Sequence, residues 1–150
     1  MKAVSMAGLE RIGPYLVYPL AHIDSSQAPI YLTLGTRPTD YDSYRRVLDV
    51  GREWWRVLDH PVAWITDTRA RSGTPDARTR ALYARYLQEI QAYQDRYLVC
   101  SAIIAIDAVQ RGAMTAIRWQ SHQRCPQEFF DELPSAFAWC RTMLSSQEQR

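Results

Sequence analysis

Apolar positions in this chain alternate between two spacings, short runs and helical stripes, and the order of the switches predicts an architecture. Residues 15–23, YLVYPLAHI, and 29–34, PIYLTL, have the apolar density of strands and flank a turn-forming DSSQA. Pro19 has no amide hydrogen to donate, which confines the first of these strands to an edge or a bulge. Between 40 and 58 the spacing becomes helical, with Tyr44, Val47, Leu48, Gly51, Trp55 and Leu58 on one side. Asp42–Arg46 and Arg45–Asp49 are spaced to pair on the other side, and Thr39 with Asp42 forms a capping-box variant. HPVAWITD (60–67) reads as a short strand and TRARSGTPDA as a loop, after which Pro75 and Asp76 open a second helix. Its inner face is Leu82, Tyr83, Tyr86, Leu87, Ile90, Tyr93 and Tyr97.

The run 98–106, LVCSAIIAI, carries no charge, as expected of a strand covered on both faces. Asp107 is placed to cap a third helix over 108–120, EFF (128–130) is a last short strand, and Asp131 with Pro134 starts a fourth helix. On that helix Leu133, Phe137, Cys140 and Leu144 share a stripe. The predicted order is ββαβαβαβα, an α/β fold whose sheet of about five strands is mixed but mostly parallel, with four helices. One domain over 14–145 is expected, between a loose N-terminal stretch (1–13) and a polar tail (146–150).

At 150 residues, 47% of them apolar and 23% charged, the chain has the composition of a globular domain with its own core. A net charge of +2 does not point to nucleic acid. Lys2 is the only lysine; every other basic residue is arginine, whose fork suits carboxylate and phosphate oxygens. Cys100, Cys125 and Cys140 fit neither paired disulfides nor a metal spacing, which points to a reducing, cytoplasmic setting. The N-terminus lacks a signal-peptide pattern, and the longest uncharged apolar run is half of what a membrane helix needs. No metal, cofactor or integral membrane association is expected.

The element order resembles the SpoIIAA-like fold of STAS domains and anti-sigma factor antagonists. The C-terminal part is similar to small bacterial SpoIIAA/STAS-like proteins with a buried strand, R-G-A-hydrophobic-T-A leading to Trp, then Pro, a strand Phe and A-x-A-W. Here these are Arg111, Gly112, Ala113, Met114, Thr115, Ala116, Trp119, Pro126, Phe129, Ala136, Ala138 and Trp139. In layout the resemblance covers about 40–144, and its motif is specific from 97 onward. It implies the fold, and a hydroxyl phospho-switch after the third strand of some members. The comparable stretch here, TDTRARSGTPD, matches no residue cleanly and leaves Thr68 or Ser72 as the candidate for phosphorylation.

The small residues Gly112, Ala113 and Ala116 are expected to bring the third helix close to the sheet, with Val109 and Ile117 filling in beside them. That leaves Arg111 and Trp119 on flanking faces. Trp54 and Trp55 lie about 100° apart on a helix, so with Trp55 turned inward Trp54 is expected to be partly exposed. Trp54, Arg111 and Trp119 are therefore the candidate partner-binding residues, for another bacterial protein or a second copy of the chain. Arg69, Arg71 and Arg78 are a candidate anion site for a phosphate, nucleotide or lipid headgroup. Catalysis has thin support. No phosphate-cradling glycine loop follows a strand, His22, His60 and His122 are scattered, and a Cys125–His122 pair is all that favours a minor thiol enzyme. The expectation is a non-catalytic regulatory or scaffolding module.

Overall fold

The computed structural model describes residues 10–12, 15–18, 21–24, 27–35, 41–69, 76–121 and 124–150. Among these residues seven strands form one sheet whose spatial order is the chain order. They are β1 (Glu10–Ile12), β2 (Tyr15–Tyr18), β3 (Ala21–Asp24), β4 (Ile30–Gly35), β5 (Val62–Asp67), β6 (Leu98–Ile104) and β7 (Gln127–Phe130). The pairs from β1 to β4 are antiparallel, and those from β4 to β7 are parallel. The described residues also form five helices: α1 (Tyr41–Val57), α2 (Ala77–Glu89), α3 (Gln91–Tyr97), α4 (Ala108–Ser121) and α5 (Leu133–Glu148).

This is the mixed α/β architecture that the periodicity predicts, parallel across the four strands β4 to β7, with differences at identifiable places. The stretch 15–23 is two strands rather than one, because the chain reverses between them and Tyr18 pairs opposite Ala21. Glu10–Ile12, expected to be loose, pairs with β2. The second predicted helix is two, α2 and α3, interrupted where the buried Ile90 leaves helical geometry at φ −91°, ψ 0°. Helix α5 runs through most of the stretch expected to be a loose tail, as far as Glu148. Thr39 and Pro75 lie outside the described residues. Asp76 caps α2 as expected, accepting from the Thr79 amide at 2.7 Å. That hydrogen bond holds the Asp76 carboxyl below its ordinary range.

Alternation along the strands divides the core in two. On one face Tyr31, Val62, Ile103 and Ala105 meet Leu48, Trp54 and Trp55 of α1, Leu58 just past it, Leu82, Tyr86 and Leu87 of α2, and Met114 and Ile117 of α4. On the other, Ile30, Leu32, Ala63, Ile65, Cys100, Ala102 and Ile104 meet α5 through Ala136 and Cys140. Every residue of β6 is buried. Leu133, Phe137 and Leu144 pack against this second cluster, as their stripe predicts.

Helices α1 and α2 meet at Gly51. A side chain there would overlap the Tyr86 hydroxyl and crowd its ring, 3.0 Å from Cζ. Arg52 adds a polar tie between the same helices, bonding both Asp49 and Glu89, so Asp49 pairs with Arg52 rather than with Arg45. Alanine normally favours a helix over glycine by about 1 kcal/mol, but overpacking costs about 1–3 kcal/mol. The Tyr86 ring is buried and stacked on Tyr83 at 5.9 Å, which leaves it little room to move aside. Gly51→Ala should therefore destabilise the fold by about 1 kcal/mol in denaturant unfolding. The loss should shrink in a Tyr86→Phe background, where the nearest atom is gone.

Candidate functional site

The site residues gather where β5 and β6 end and α4 begins. Asp107 caps α4 by accepting from the Gln110 amide at 2.7 Å. Thr68, just past β5, extends the ladder through its amide to Ile104 O and donates its hydroxyl to the same oxygen at 2.7 Å. The Gln110 side chain reaches Thr68 O through Nε2 at 3.4 Å, and its Oε1 lies 3.1 Å from the Thr68 hydroxyl. Arg111 donates from Nε to Ala105 O at 3.2 Å and from a terminal nitrogen to Asp131 at 2.8 Å, with its guanidinium over the Phe129 ring. Arg118 reaches Gln127 and the Cys125 carbonyl.

These bonds fix the rotation of α4 about its axis. Met114 and Ile117 are buried and Gln110 is bonded inward, while Ala113 and Ala116 are half-buried and Gly112 is exposed. Gly112 is exposed, with no atom within 4 Å of where a Cβ would stand, and Val109 is 67% exposed. The inward placement expected of Gly112 and Val109 is thus corrected, whereas Ile117 is buried as expected. The two larger side chains, Met114 and Ile117, bury more apolar area than the small ones, and the polar ties at Gln110 and Arg111 select the same orientation. Trp119 is 75% exposed, as its flanking position predicts, and Ile106 just ahead of the helix is 62% exposed. The pattern that reveals this face in the sequence is Gln110, Met114 and Ile117 read as one stripe.

Arg111 is held within the chain by two of its donors, one to Ala105 O and one to Asp131. Trp54 is also corrected: it is buried, 4% exposed, rather than offered outward. Tyr31 and Trp64 extend an aromatic floor beneath α1, wide enough for both neighbouring tryptophans. Trp54 meets Tyr31, Trp55 and Trp64 edge-on, with centroids 5.0, 5.1 and 4.9 Å away.

Two of the three candidate anion-site arginines, Arg69 and Arg78, are each engaged within the chain. Arg69 grips the buried Asp67 with two nitrogens, the shorter bond at 2.7 Å, and that bonding raises its already high pKa. Asp67 is the anion that Arg69 serves. Arg78 lies over the Tyr41 ring, 3.7 Å from its centroid. Arg71 and Ser72 lie outside the described residues. Thr68 is corrected as a phosphorylation candidate, because its hydroxyl is buried and already donated to Ile104.

Periodicity does not show one further arrangement. Asp59 Oδ1 lies 2.9 Å from His60 Nδ1, and His60 Nε2 lies 3.3 Å from the Tyr31 hydroxyl. Burial, and then the Asp59 charge, push the Tyr31 phenol above its usual value, so it stays protonated and serves as a bonding group. The Cys125 thiol is pushed up to about 11, chiefly by burial, which is the opposite of an activated nucleophile. His122 lies outside the described residues. Among the described residues, no helix is long and apolar enough to cross a membrane.

Comparison with known proteins bears out the resemblance of the fold. A crystal structure of an uncharacterised protein of the DUF3478 family from Shewanella loihica PV-4, with a SpoIIAA-like fold, superposes with a TM-score of 0.52. The match covers 93% of this chain and 98% of that one at 14% identity. The chain is an α/β protein of the SpoIIAA-like fold. No family model matches it, and no curated protein does.

Two outcomes check the site. Trp54→Ala should cost about 3–5 kcal/mol of stability in denaturant unfolding, as expected for a buried tryptophan. At pH 8, alkylation of Cys125 should run roughly a hundredfold slower in the native chain than in the unfolded one, because a thiol raised by two pH units has a hundredth of the thiolate. The rate should climb with pH until the thiol ionises near 11.

Proposed function

We propose that this protein works by binding rather than by catalysis, as a regulatory or scaffolding module that pairs with a second copy of itself through the outer face of α4. The observation that carries this reading is Trp119, 75% exposed on a helix face that also presents Val109 and Gly112. Large aromatics at this exposure are the residue type on which interfaces concentrate their energy. The raised Cys125 thiol supports a non-catalytic role. Three free cysteines accord with a reducing, cytoplasmic setting.

Charge and shape favour a second copy as the occupant. The charged side chains of α4, Arg111 and Arg118, fold back onto the protein's own acceptors, so two identical faces meet without like-charge repulsion. Trp119 stands seven residues from Gly112, about 10 Å along the axis. Antiparallel helices related by a twofold axis place each Trp119 ring on the open Gly112 of the other copy. Each seated ring buries about 150–250 Å². Val109 and Ile106 extend the apolar centre toward the ~800 Å² per partner that specific interfaces bury.

Sedimentation equilibrium tests the pairing. Trp119→Ala should leave unfolding unchanged and weaken self-association by about 2 kcal/mol, roughly thirtyfold in Kd. Gly112→Leu, which projects into open space in the single chain, should block association without loss of fold. A native chain that stays monomeric at high concentration, or variants that associate as the native chain does, would overturn the proposal.

A further inference from the structure

Tyr31 belongs to a group of four aromatic side chains, and its hydroxyl leads out of the core to a histidine. Its ring lies edge-on to Trp54 with centroids 5.0 Å apart, and nearly parallel to Trp64 at 5.9 Å. Trp55 closes the group, 5.1 Å from Trp54 and 6.0 Å from Trp64. Tyr31, Trp54 and Trp55 are buried, whereas Trp64 is half-buried. We propose that Tyr31 is a redox-active residue: when a one-electron oxidant removes an electron from this tryptophan cluster, Tyr31 replaces it and gives its own proton to His60. This inference is independent of what binds α4.

The hydrogen bonds supply the proton path. A carboxylate only accepts, so the 2.9 Å bond between His60 Nδ1 and Asp59 places the imidazole hydrogen on Nδ1. His60 Nε2 then turns its lone pair toward the Tyr31 hydroxyl, which donates across 3.3 Å. A phenol that loses an electron becomes a strong acid, so its oxidation is easy only where a positioned base takes the proton in the same step. His60 is that base, and the Asp59 charge stabilises the imidazolium it becomes. The step balances. One electron passes from Tyr31 to the oxidised tryptophan, the phenol O–H bond breaks, and an N–H bond forms at His60 Nε2. The tryptophan is restored, and the products are a neutral tyrosyl radical and a histidinium. An electron from a small reductant such as ascorbate, with return of the same proton, resets the pair.

Access asks little of the fold. Electrons cross the contact between packed rings, so the oxidant, a diffusing radical or an oxidised metal complex, meets the cluster at the half-buried Trp64 without entering the core. His60 and Asp59 stand at the outer end, their side chains 25% and 45% exposed, within reach of water and of the reductant. The arrangement protects the core, because an oxidised indole regains its electron before oxygen adds to it.

The test uses the full native chain with photogenerated ruthenium(III) tris(bipyridine) as the one-electron oxidant, followed by transient absorption and electron paramagnetic resonance. The tryptophanyl signal should decay as a tyrosyl signal rises, and the rise should be slower in heavy water. Tyr31→Phe should lose the tyrosyl rise and lengthen the tryptophanyl lifetime, whereas Tyr93→Phe should leave both as in the native chain. His60→Gln keeps an acceptor near the hydroxyl but takes no proton, and should slow the rise while circular dichroism stays native. A tyrosyl signal that survives Tyr31→Phe overturns the proposal. So does a native chain whose radical stays on tryptophan, or a folded His60→Gln chain that matches the native rate.

Discussion

The fold depends on the complete burial of β6. A strand whose seven residues are all buried needs hydrogen-bonded neighbours on both edges and a covering layer on both faces. Strands β5 and β7 meet the first demand, and the helices meet the second unequally. Helices α1, α2 and α4 share one face, while α5 covers the other. Cys100, Ala102 and Ile104 therefore rely on one helix for their cover, and Ala136 and Cys140 are small enough to let it sit close.

On the crowded face, polar bonds and large apolar side chains select one orientation for α4. Buried groups at the ends of β5 and β6 need partners, and Gln110 and Arg111 supply them. Meeting those needs turns Met114 and Ile117 inward and leaves Val109, Gly112 and Trp119 facing water. The apolar face proposed for self-association is thus a by-product of satisfying the strand ends. Its existence depends on Thr68 and Ala105 as much as on Trp119.

Much of the layout is legible in the sequence because it rests on local signals. The uncharged run at 98–104, the aspartates ahead of α2 and α4, and the stripe of Leu133, Phe137 and Cys140 each act within a few residues. What is not legible depends on distant neighbours. Trp54 reads as exposed from its own helix alone, and only Tyr31 and Trp64, on two strands, make room for it. Arg69 reads as a ligand for an external anion until Asp67 is seen to be buried beneath it. For α4, with few charged positions to mark its wet side, a stripe of small residues and a stripe of larger ones competed, and tertiary contacts chose the larger.

The correspondence between chain order and spatial order in the sheet bears on assembly. No strand has to slip between two that are already joined, so each can add to the growing edge as soon as the segment before it is in place. Synthesis from the amino end suits such a sheet, because the antiparallel meander provides a template for the parallel strands that follow. Helix α5 comes after every strand in the chain. Until it docks, Ile30, Leu32, Ala63 and Ile65 form a bare oily plane, and the nascent chain is adhesive there for as long as that helix is missing.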